Sequence, residues 1–299
     1  MSFLNEFNIF KFSNKIKRPL ILDGAMGSLL EQRGLTNKDG TWSAKINFSH
    51  PEEIIKIYKD YINAGADIIT TNTFRTNPYA LKRAGIDNYK IYVKRALELA
   101  KTSVENNPIL IAGSNPPAED CYQSSRKATP KELELNHCYH IETLFENGCN
   151  FILNETQSHL DEIKIICEFC SKNRIPFVIS LYFDDNLKLL SGENVLDVIR
   201  MIDNFNPLSI SFNCINNQTI NNLFSLSTSN LNLNLNLILN LNSTWGFYLN
   251  IFSEKPFSTY AELIKDKIKL NPSFVGACCG SNPDDIRTIK EFLDARNSC

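Results

Sequence analysis

The chain has 299 residues, a length that fits either two small domains or one barrel-sized α/β domain. Its hydrophobic fraction of 43% and charged fraction of 21% are typical of a globular protein with a sizeable core. A formal net charge of −2 gives no reason to expect nucleic acid or an anionic membrane as a partner. Nine cysteines without a secretory leader or an apolar span predict a reducing, cytoplasmic location.

Eight short apolar runs recur along the chain, with helical patterns between them. Their near-continuous hydrophobicity is typical of strands that are buried on both faces of a parallel sheet. The predicted strands are 19–22, 67–71, 109–112, 151–153, 177–181, 208–212, 235–241 and 274–276.

The segments between these strands carry apolar side chains at helical spacing. In 51–64, for example, Pro51 stands at the first helical position, and Ile54 and Tyr58 follow on one stripe. The other predicted helices are 89–104, 130–146, 159–170 and 283–296. Eight strands alternating with helices predict an α/β protein with a single (β/α)8 TIM barrel, one domain over 1–299 with a core at about 15–296. A doubly wound sheet is the alternative, but no Gly-rich dinucleotide fingerprint follows the first strand.

Residues 230–242 alternate asparagine and leucine almost strictly. Such alternation predicts a strand with one polar face, which fits poorly in a sheet covered on both sides. We interpret the first half as a low-complexity insertion or loop and 235–241 as the seventh strand, although an ordered strand over the whole stretch is an open alternative.

The most informative motif is Gly276-Ala277-Cys278-Cys279-Gly280, together with the distant Cys214. Adjacent side chains of a strand point to opposite faces, so both sulfurs can reach one point only where the strand ends and turns, as the flanking glycines permit. A third thiolate would complete three corners of a tetrahedral zinc site, and three ligands with an open fourth position are typical of catalytic zinc. Buried reduced cysteines that serve as small hydrophobic residues are the alternative.

Two carboxylates also follow predicted strands. Asp23 follows the first strand and Glu155 the fourth, and the C-terminal strand ends of such barrels carry the chemistry. Asp23 could instead cap the following helix, and Glu155 could be a solvated loop residue. Their occurrence at the same rim as the three cysteines favours a site.

Other cysteines and histidines are interpreted as structural. His137 and His140 lie three apart on one predicted helix, remote from any strand end, and we expect an ordinary helix surface. Cys167 and Cys170 have Cys-x-x-Cys spacing without a second pair, so we expect buried helix cysteines.

A set of short motifs runs in order almost end to end. The motifs are Leu22-Asp23-Gly24-Ala25-Met26-Gly27, Trp42-Ser43-Ala44, Gly65-Ala66-Asp67, Thr71-Asn72-Thr73-Phe74, Ala112-Gly113-Ser114, Glu155-Thr156, Leu190-Ser191-Gly192-Glu193, Asn213-Cys214 and Cys278-Cys279-Gly280 before Pro283. Through them the chain resembles the zinc-dependent homocysteine S-methyltransferase family over roughly residues 15 to 296. The resemblance implies a homocysteine-binding barrel with catalytic zinc (Zn²⁺) at its C-terminal face. It also implies transfer of a methyl group from a small activated donor to the homocysteine thiol, a step of methionine biosynthesis.

The resemblance assigns roles to individual residues. The implied metal ligands are Cys214, Cys278 and Cys279, with Asn242 as an oxygen ligand before substrate arrives. The implied substrate-binding groups are Asp23 and Glu155 for the homocysteine ammonium, and the backbone amides of Gly24, Ala25 and Met26 for its carboxylate.

The expected partners are homocysteine and a small methyl donor, and the sequence does not give the oligomeric state. The chain lacks the length for cobalamin and folate modules, so we expect a small activated donor. S-methylmethionine is the favoured donor, ahead of S-adenosylmethionine and betaine. Trp42, Phe74 and Tyr122 are candidate walls of a donor site, although ordinary packing is the favoured alternative for each, because phenylalanine is abundant in the chain. Residues 115–122, where a donor could bind, differ from the better-known relatives. Two other functions are open: a non-catalytic barrel that binds zinc and homocysteine, and a methyltransferase acting on another thiol or a selenol.

Overall fold

The strands form one closed parallel barrel. The computed structural model describes residues 10, 13–105, 107–224, 238, 240–252 and 259–297. The strands are β1 (Leu20–Ile21), β2 (Ile68–Thr70), β3 (Leu110–Asn115), β4 (Phe151–Gln157), β5 (Phe177–Leu181), β6 (Ser209–Asn213), β7 (Thr244–Leu249) and β8 (Phe274–Ala277). They are ordered β1-β8-β7-β6-β5-β4-β3-β2, and a parallel bridge between Leu22 and Ile68 joins β1 to β2. The predicted (β/α)8 barrel is confirmed.

Helices follow the strands and cover the barrel. They are α1 (Ser13–Ile16), α2 (Met26–Gln32), α3 (Ile46–Ser49), α4 (Pro51–Ala64), α5 (Pro78–Arg83), α6 (Tyr89–Val104), α7 (Pro130–Glu146), α8 (Leu160–Asn173), α9 (Val195–Asp203), α10 (Asn217–Phe224), α11 (Tyr260–Ile268) and α12 (Pro283–Asn297). The five predicted helices are confirmed, three of them with the predicted bounds. Within the described ranges, no helix is both long and apolar enough to cross a membrane.

Helix α4 shows how local sequence positions the rim of the barrel. Pro51 begins the helix, and Gly65 ends it in the left-handed conformation with φ 107°. The buried face carries Tyr58 and Tyr61. The Tyr58 hydroxyl donates to the carbonyl of Thr70 at 3.1 Å, so α4 supports the C-terminal end of β2.

The core has two layers. The larger layer fills the space between the strands and the surrounding helices, while a smaller cluster fills the barrel interior. Phe10 belongs to the interior cluster, and its ring centroid lies 5.4 Å from that of Phe151 and 5.0 Å from that of Phe274. Since Phe151 and Phe274 begin their strands, Phe10 packs at the N-terminal end of the barrel, and the opposite end is left for the site.

The seventh strand is not where the sequence pattern places it. Most of 235–241 lies outside the described residues, and Ile238 is helical and Asn240 lies in a turn. The strand is Thr244–Leu249, in which Trp245 to Leu249 are all buried. The prediction of 235–241 is wrong because strict alternation suits a sheet with one exposed face, whereas this strand is covered on both.

Candidate metal centre and adjoining cavity

Three cysteine sulfurs meet at the C-terminal rim. Cys214 directly follows β6, Cys278 and Cys279 directly follow β8, and the three sulfurs lie within 4.8 Å of one another. The Cys214 and Cys279 sulfurs are 3.4 Å apart, and those of Cys278 and Cys279 are 4.0 Å apart. Tetrahedral zinc–sulfur bonds of about 2.3 Å require sulfurs roughly 3.8 Å apart, so the cluster has the spacing of a metal site.

Sharp backbone turns aim these sulfurs at one point. Cys214 has φ 54°, an uncommon conformation for a residue with a side chain, and its amide donates to the Tyr248 carbonyl at 3.3 Å. Gly280 has φ 86° directly after the cysteine pair. The Ser281 amide donates back to the Cys278 carbonyl at 3.1 Å, which closes the turn. Two adjacent cysteines can therefore face the same point because β8 ends before them.

The cluster stabilises the ionised form of a cysteine. Hydrogen bonds from Cys214 and then Cys278 hold the pKa of Cys279 well below its usual range, with a further contribution from Tyr122. The thiolate is the form of cysteine that binds metals. The Asn213 amide lies 4.0 Å from the Cys278 sulfur and donates to the Thr156 hydroxyl at 2.9 Å, so this side chain connects β6, β4 and the metal centre.

Asp23 is buried beside the second strand. Its carboxylate accepts from the Thr70 amide at 2.8 Å and from the Thr70 hydroxyl at 2.9 Å. Burial raises the pKa of Asp23 to about 8, and the negative charge of Glu155 contributes to the rise. The alternative helix-cap role is wrong, because α2 has Ala25 at its N-cap and no side-chain capping bond.

Glu155 lies within β4 rather than in a solvated loop. Its carboxylate accepts from the Ser114 hydroxyl and, at 3.2 Å, from the Tyr248 hydroxyl. Burial raises the pKa of Glu155 to about 7. The register of β4 with β5 shifts between Asn154 and Gln157, which is where Glu155 is placed. The structure thus brings both predicted carboxylates to the same cavity as the three cysteines.

The start of α2 differs from the expectation at one residue. The Ala25 amide donates to the Ser281 hydroxyl at 2.9 Å, and the Ala25 carbonyl accepts from the Tyr61 hydroxyl at 3.0 Å. A Cβ at Gly24 would lie 2.6 Å from that Ser281 oxygen, so the contact requires glycine. Because the protein itself engages the Ala25 amide, the expected substrate contact at Ala25 is not available in this structure. Gly24 and Met26 are the backbone positions left for that role.

Asn242 is not at the metal centre. It precedes β7 and therefore lies at the N-terminal end of that strand, opposite the cysteines. Its backbone and side-chain amides both donate to Asp203 at 3.0 Å. The implied ligand role is wrong because the seventh strand begins two residues after Asn242 instead of ending before it.

Several residues that position the carboxylates and the cysteines were assigned no role from the sequence. Thr70, Ser114 and Tyr248 hold the two carboxylates, and Asn213 holds Thr156 and Cys278. Ser114 and Asn213 belong to the motifs Ala112-Gly113-Ser114 and Asn213-Cys214, but no contact could be assigned to them without their partners. Tyr248 was missed because the seventh strand was predicted at 235–241, before this residue.

A cavity of about 1100 Å³ opens above the cysteines. Trp42 and Phe74 form one wall, with ring centroids 5.9 Å apart and an interplanar angle of 76°. Tyr122 also borders the cavity, and its ring packs edge-to-face on Tyr182 at 5.2 Å. The cavity is large enough for a small molecule and has aromatic and charged walls.

A buried polar network supports the loop that carries Tyr122. His137 and His140 are fully buried, so the predicted helix surface is wrong. His137 Nε2 lies 2.6 Å from Glu162, and both histidines are hydrogen-bonded to Asn115 at the end of β3. Glu162 also accepts from the Ala118 amide at 2.9 Å, which fixes the loop between β3 and α7.

Cys167 and Cys170 are buried in α8, as predicted.

The chain is similar to known proteins over most of its length. The model of the homocysteine S-methyltransferase family matches residues 20–293. Homocysteine S-methyltransferase of Escherichia coli (strain K12) is 26% identical over 91% of this chain and 94% of that protein. Betaine-homocysteine S-methyltransferase of Drosophila melanogaster is 24% identical, with 96% and 98% covered. The metallated form of the homocysteine methyltransferase MmuM from Escherichia coli superposes with a TM-score of 0.79, at 25% identity over 95% of this chain and 99% of that one.

Proposed function

The chain belongs to the homocysteine S-methyltransferase family, and we propose that it transfers a methyl group from a small activated donor to the thiol of homocysteine, giving methionine. The observation that carries this proposal is the meeting of three cysteine sulfurs with two buried carboxylates in one cavity. A purely structural metal would have no use for groups that recognise an amino acid.

We propose zinc as the metal, held by Cys214, Cys278 and Cys279. Thiolates are soft ligands that suit zinc, and the sulfur spacing fits a tetrahedral arrangement. When bound, zinc supplies the Lewis acidity that favours ionisation of the homocysteine thiol near neutral pH. The thiols must stay reduced for this purpose, so we place the reaction in a reducing compartment, the cytoplasm.

The two carboxylates are proposed to bind the homocysteine ammonium. Asp23 and Glu155 have raised pKa values because burial disfavours their charged forms. An arriving ammonium group reverses that effect, since an opposite charge nearby favours ionisation. The amides of Gly24 and Met26, at the start of α2, are the proposed contacts of the substrate carboxylate. With the ammonium and the carboxylate of the α-carbon held in this way, the thiol at the other end of homocysteine is directed towards the cysteines and the donor methyl group.

The donor is proposed to be S-methylmethionine, bound between the metal centre and the wall formed by Trp42 and Phe74. Aromatic faces attract a sulfonium or quaternary ammonium through the ring quadrupole. We further propose that residues 1–299 act as one homocysteine-binding barrel domain, because the cysteines and carboxylates come from strands spread over its whole length.

The test compares two cavity variants with one control. Cys214→Ala should lose both bound metal and methionine formation, while Glu155→Gln should keep the metal and weaken homocysteine binding. Cys138→Ala makes the same chemical change on α7, and it should retain both properties. Metal content is measured by elemental analysis, and methionine formation is measured with S-methylmethionine, S-adenosylmethionine and betaine.

Two outcomes would overturn the proposal. Full metal content and full turnover in Cys214→Ala would show that the site is elsewhere. Metal-loaded wild-type protein that forms no methionine with any donor would favour a non-catalytic barrel or a different thiol or selenol acceptor.

A further inference from the structure

The basic side chains that line the cavity differ in their exposure and in their acidic partners. The basic residues that line the cavity are Lys38, Arg75, Arg83, Arg126 and Lys127. Arg83 is paired with Glu119 at 3.2 Å, and Arg126 with Glu162 at 2.6 Å. Lys38 and Lys127 are exposed. Arg75 is half-buried and forms no salt bridge within the part of the chain that the structure describes.

The Arg75 guanidinium is held in place without a carboxylate. One of its nitrogens donates to the Glu119 carbonyl at 3.0 Å, which ties the loop after β2 to the loop after β3. Its central carbon lies 5.6 Å from the centroid of the Phe74 ring. A guanidinium has five N–H donors, so most of its capacity remains for a ligand. This arrangement is a preorganised anion contact on the wall formed by Trp42 and Phe74.

The position of Arg75 relates it to the metal centre. Arg75 lines the same cavity as Cys214, Cys278 and Cys279. A ligand that fills this cavity can contact both Arg75 and the wall formed by Trp42 and Phe74, because the Arg75 guanidinium lies over the Phe74 ring.

We propose that Arg75 binds the carboxylate of the methyl donor, so that the donor is a zwitterion with a methylated cationic centre and a carboxylate several bonds away. An arginine fork recognises a carboxylate through two parallel hydrogen bonds, which lysine cannot reproduce. The cationic centre lies against the rings of Trp42 and Phe74. This inference rests on the proposed function and adds the residue that would recognise the donor's carboxylate, a group that S-methylmethionine and betaine both carry.

Methyl transfer from such a donor balances in protons, electron pairs and charge. The homocysteine thiol gives its proton to solvent, and a sulfur electron pair forms the new bond to the methyl carbon. The bond from that carbon to the donor sulfur or nitrogen breaks, and its electron pair stays on the donor atom. The donor loses its positive charge, and its carboxylate at Arg75 is unchanged.

The test measures donor binding rather than turnover. Metal-loaded wild-type and Arg75→Gln proteins are titrated calorimetrically with S-methylmethionine and with dimethyl(aminopropyl)sulfonium, which lacks only the carboxylate. We expect the wild type to bind S-methylmethionine about 10- to 100-fold more tightly than the decarboxylated compound. Arg75→Gln should reduce this preference to about 2-fold or less, because one charge-assisted contact is lost. Betaine and tetramethylammonium form a second pair, which shows whether the bound cation is a sulfonium or a quaternary ammonium.

Lys38→Gln is the matched control, since it removes one positive charge from an exposed position of the same cavity and should keep the preference. Arg75→Lys is a second variant, to be used if Arg75→Gln folds poorly. It keeps the positive charge but not the two-pronged hydrogen bonding of a guanidinium, so its preference for S-methylmethionine over the decarboxylated compound should be intermediate. The inference is wrong if the wild type shows no preference, if Arg75→Gln weakens both compounds equally, or if it weakens homocysteine binding instead. A preference that is present in a protein that forms no methionine would refute the proposed function and leave the carboxylate contact standing.

Discussion

Replacing Asp23 with asparagine should stabilise the fold and weaken substrate binding. The Asp23 carboxylate is buried and accepts two hydrogen bonds from Thr70, at 2.8 and 2.9 Å. Asparagine has the same shape and can accept from the Thr70 amide while donating to the Thr70 hydroxyl oxygen. The Asp23→Asn variant therefore keeps both contacts and removes only the buried charge.

The expected gain in folding stability of Asp23→Asn follows from the pKa of Asp23, which burial raises from 3.8 to about 8. A carboxyl group whose pKa is higher in the folded protein destabilises the fold as pH rises above the unfolded value, and the full effect is present above the folded value. The ionised group then costs roughly 6 kcal/mol. We expect the melting temperature of Asp23→Asn to be up to about 10 °C higher than that of the wild type at pH ~8.5. This difference in melting temperature should become small at pH ~5.

The assay is thermal unfolding of both metal-loaded proteins at these two pH values, with and without homocysteine. Homocysteine should raise the melting temperature of the wild type, because a ligand that binds the folded state stabilises it. It should have little effect on Asp23→Asn, whose homocysteine Kd should be weakened about 10- to 100-fold by loss of the ionic contact. The prediction for Asp23→Asn is wrong if the melting temperatures of the two proteins differ by the same amount at both pH values. It is also wrong if homocysteine raises both melting temperatures equally.

Two further variants test the surroundings of the site. A Cβ at Gly27 would lie 2.1 Å from the Trp42 ring, so Gly27→Ala should displace that ring and lower kcat/KM for the donor by up to about 100-fold at unchanged metal content. Unaltered donor kinetics would show that Trp42 does not shape the donor site. Asn213→Ala removes contacts to Thr156 and Cys278, and it should weaken metal affinity about 10- to 100-fold in a titration against a competing chelator. Wild-type affinity in that titration would assign Asn213 to the fold alone.

The barrel and the convergence of the cysteines were predictable because their signals are local. Continuous apolar runs specify buried parallel strands, and the stripe of α4 with Pro51 at its start and Gly65 at its end specifies that helix. Once the strand ends are known, the topology alone brings residues after β6 and β8 to one rim. No contact between Cys214 and Cys278 had to be known in advance.

The buried polar groups were not predictable, because their partners are distant in sequence. The fourth strand was predicted to end at residue 153, yet it continues to Gln157. Asn154 is tolerated there because it donates to the Val178 carbonyl at 2.9 Å and accepts from Asn115 at 2.8 Å. His137 likewise has a polar partner, Glu162, on the next helix. A polar side chain in a sequence indicates exposure unless the fold supplies such partners.

Some residues with positive φ end helices, whereas three others line the cavity. Arg174 adopts positive φ at the end of a helix, where a left-handed residue commonly closes the last turn. Trp42, Thr156 and Cys214 also have positive φ, between 44° and 56°, but none of them ends a helix and all three line the cavity. Each such conformation costs about 1–3 kcal/mol in a residue with a side chain, and it persists only where the surroundings enforce it. Here the surroundings are Gly27 beneath Trp42 and the Asn213 side chain between Thr156 and the metal centre. The strained residues therefore include a proposed metal ligand, Cys214, and a proposed wall of the donor site, Trp42, which is why the two variants at Gly27 and Asn213 are expected to alter function.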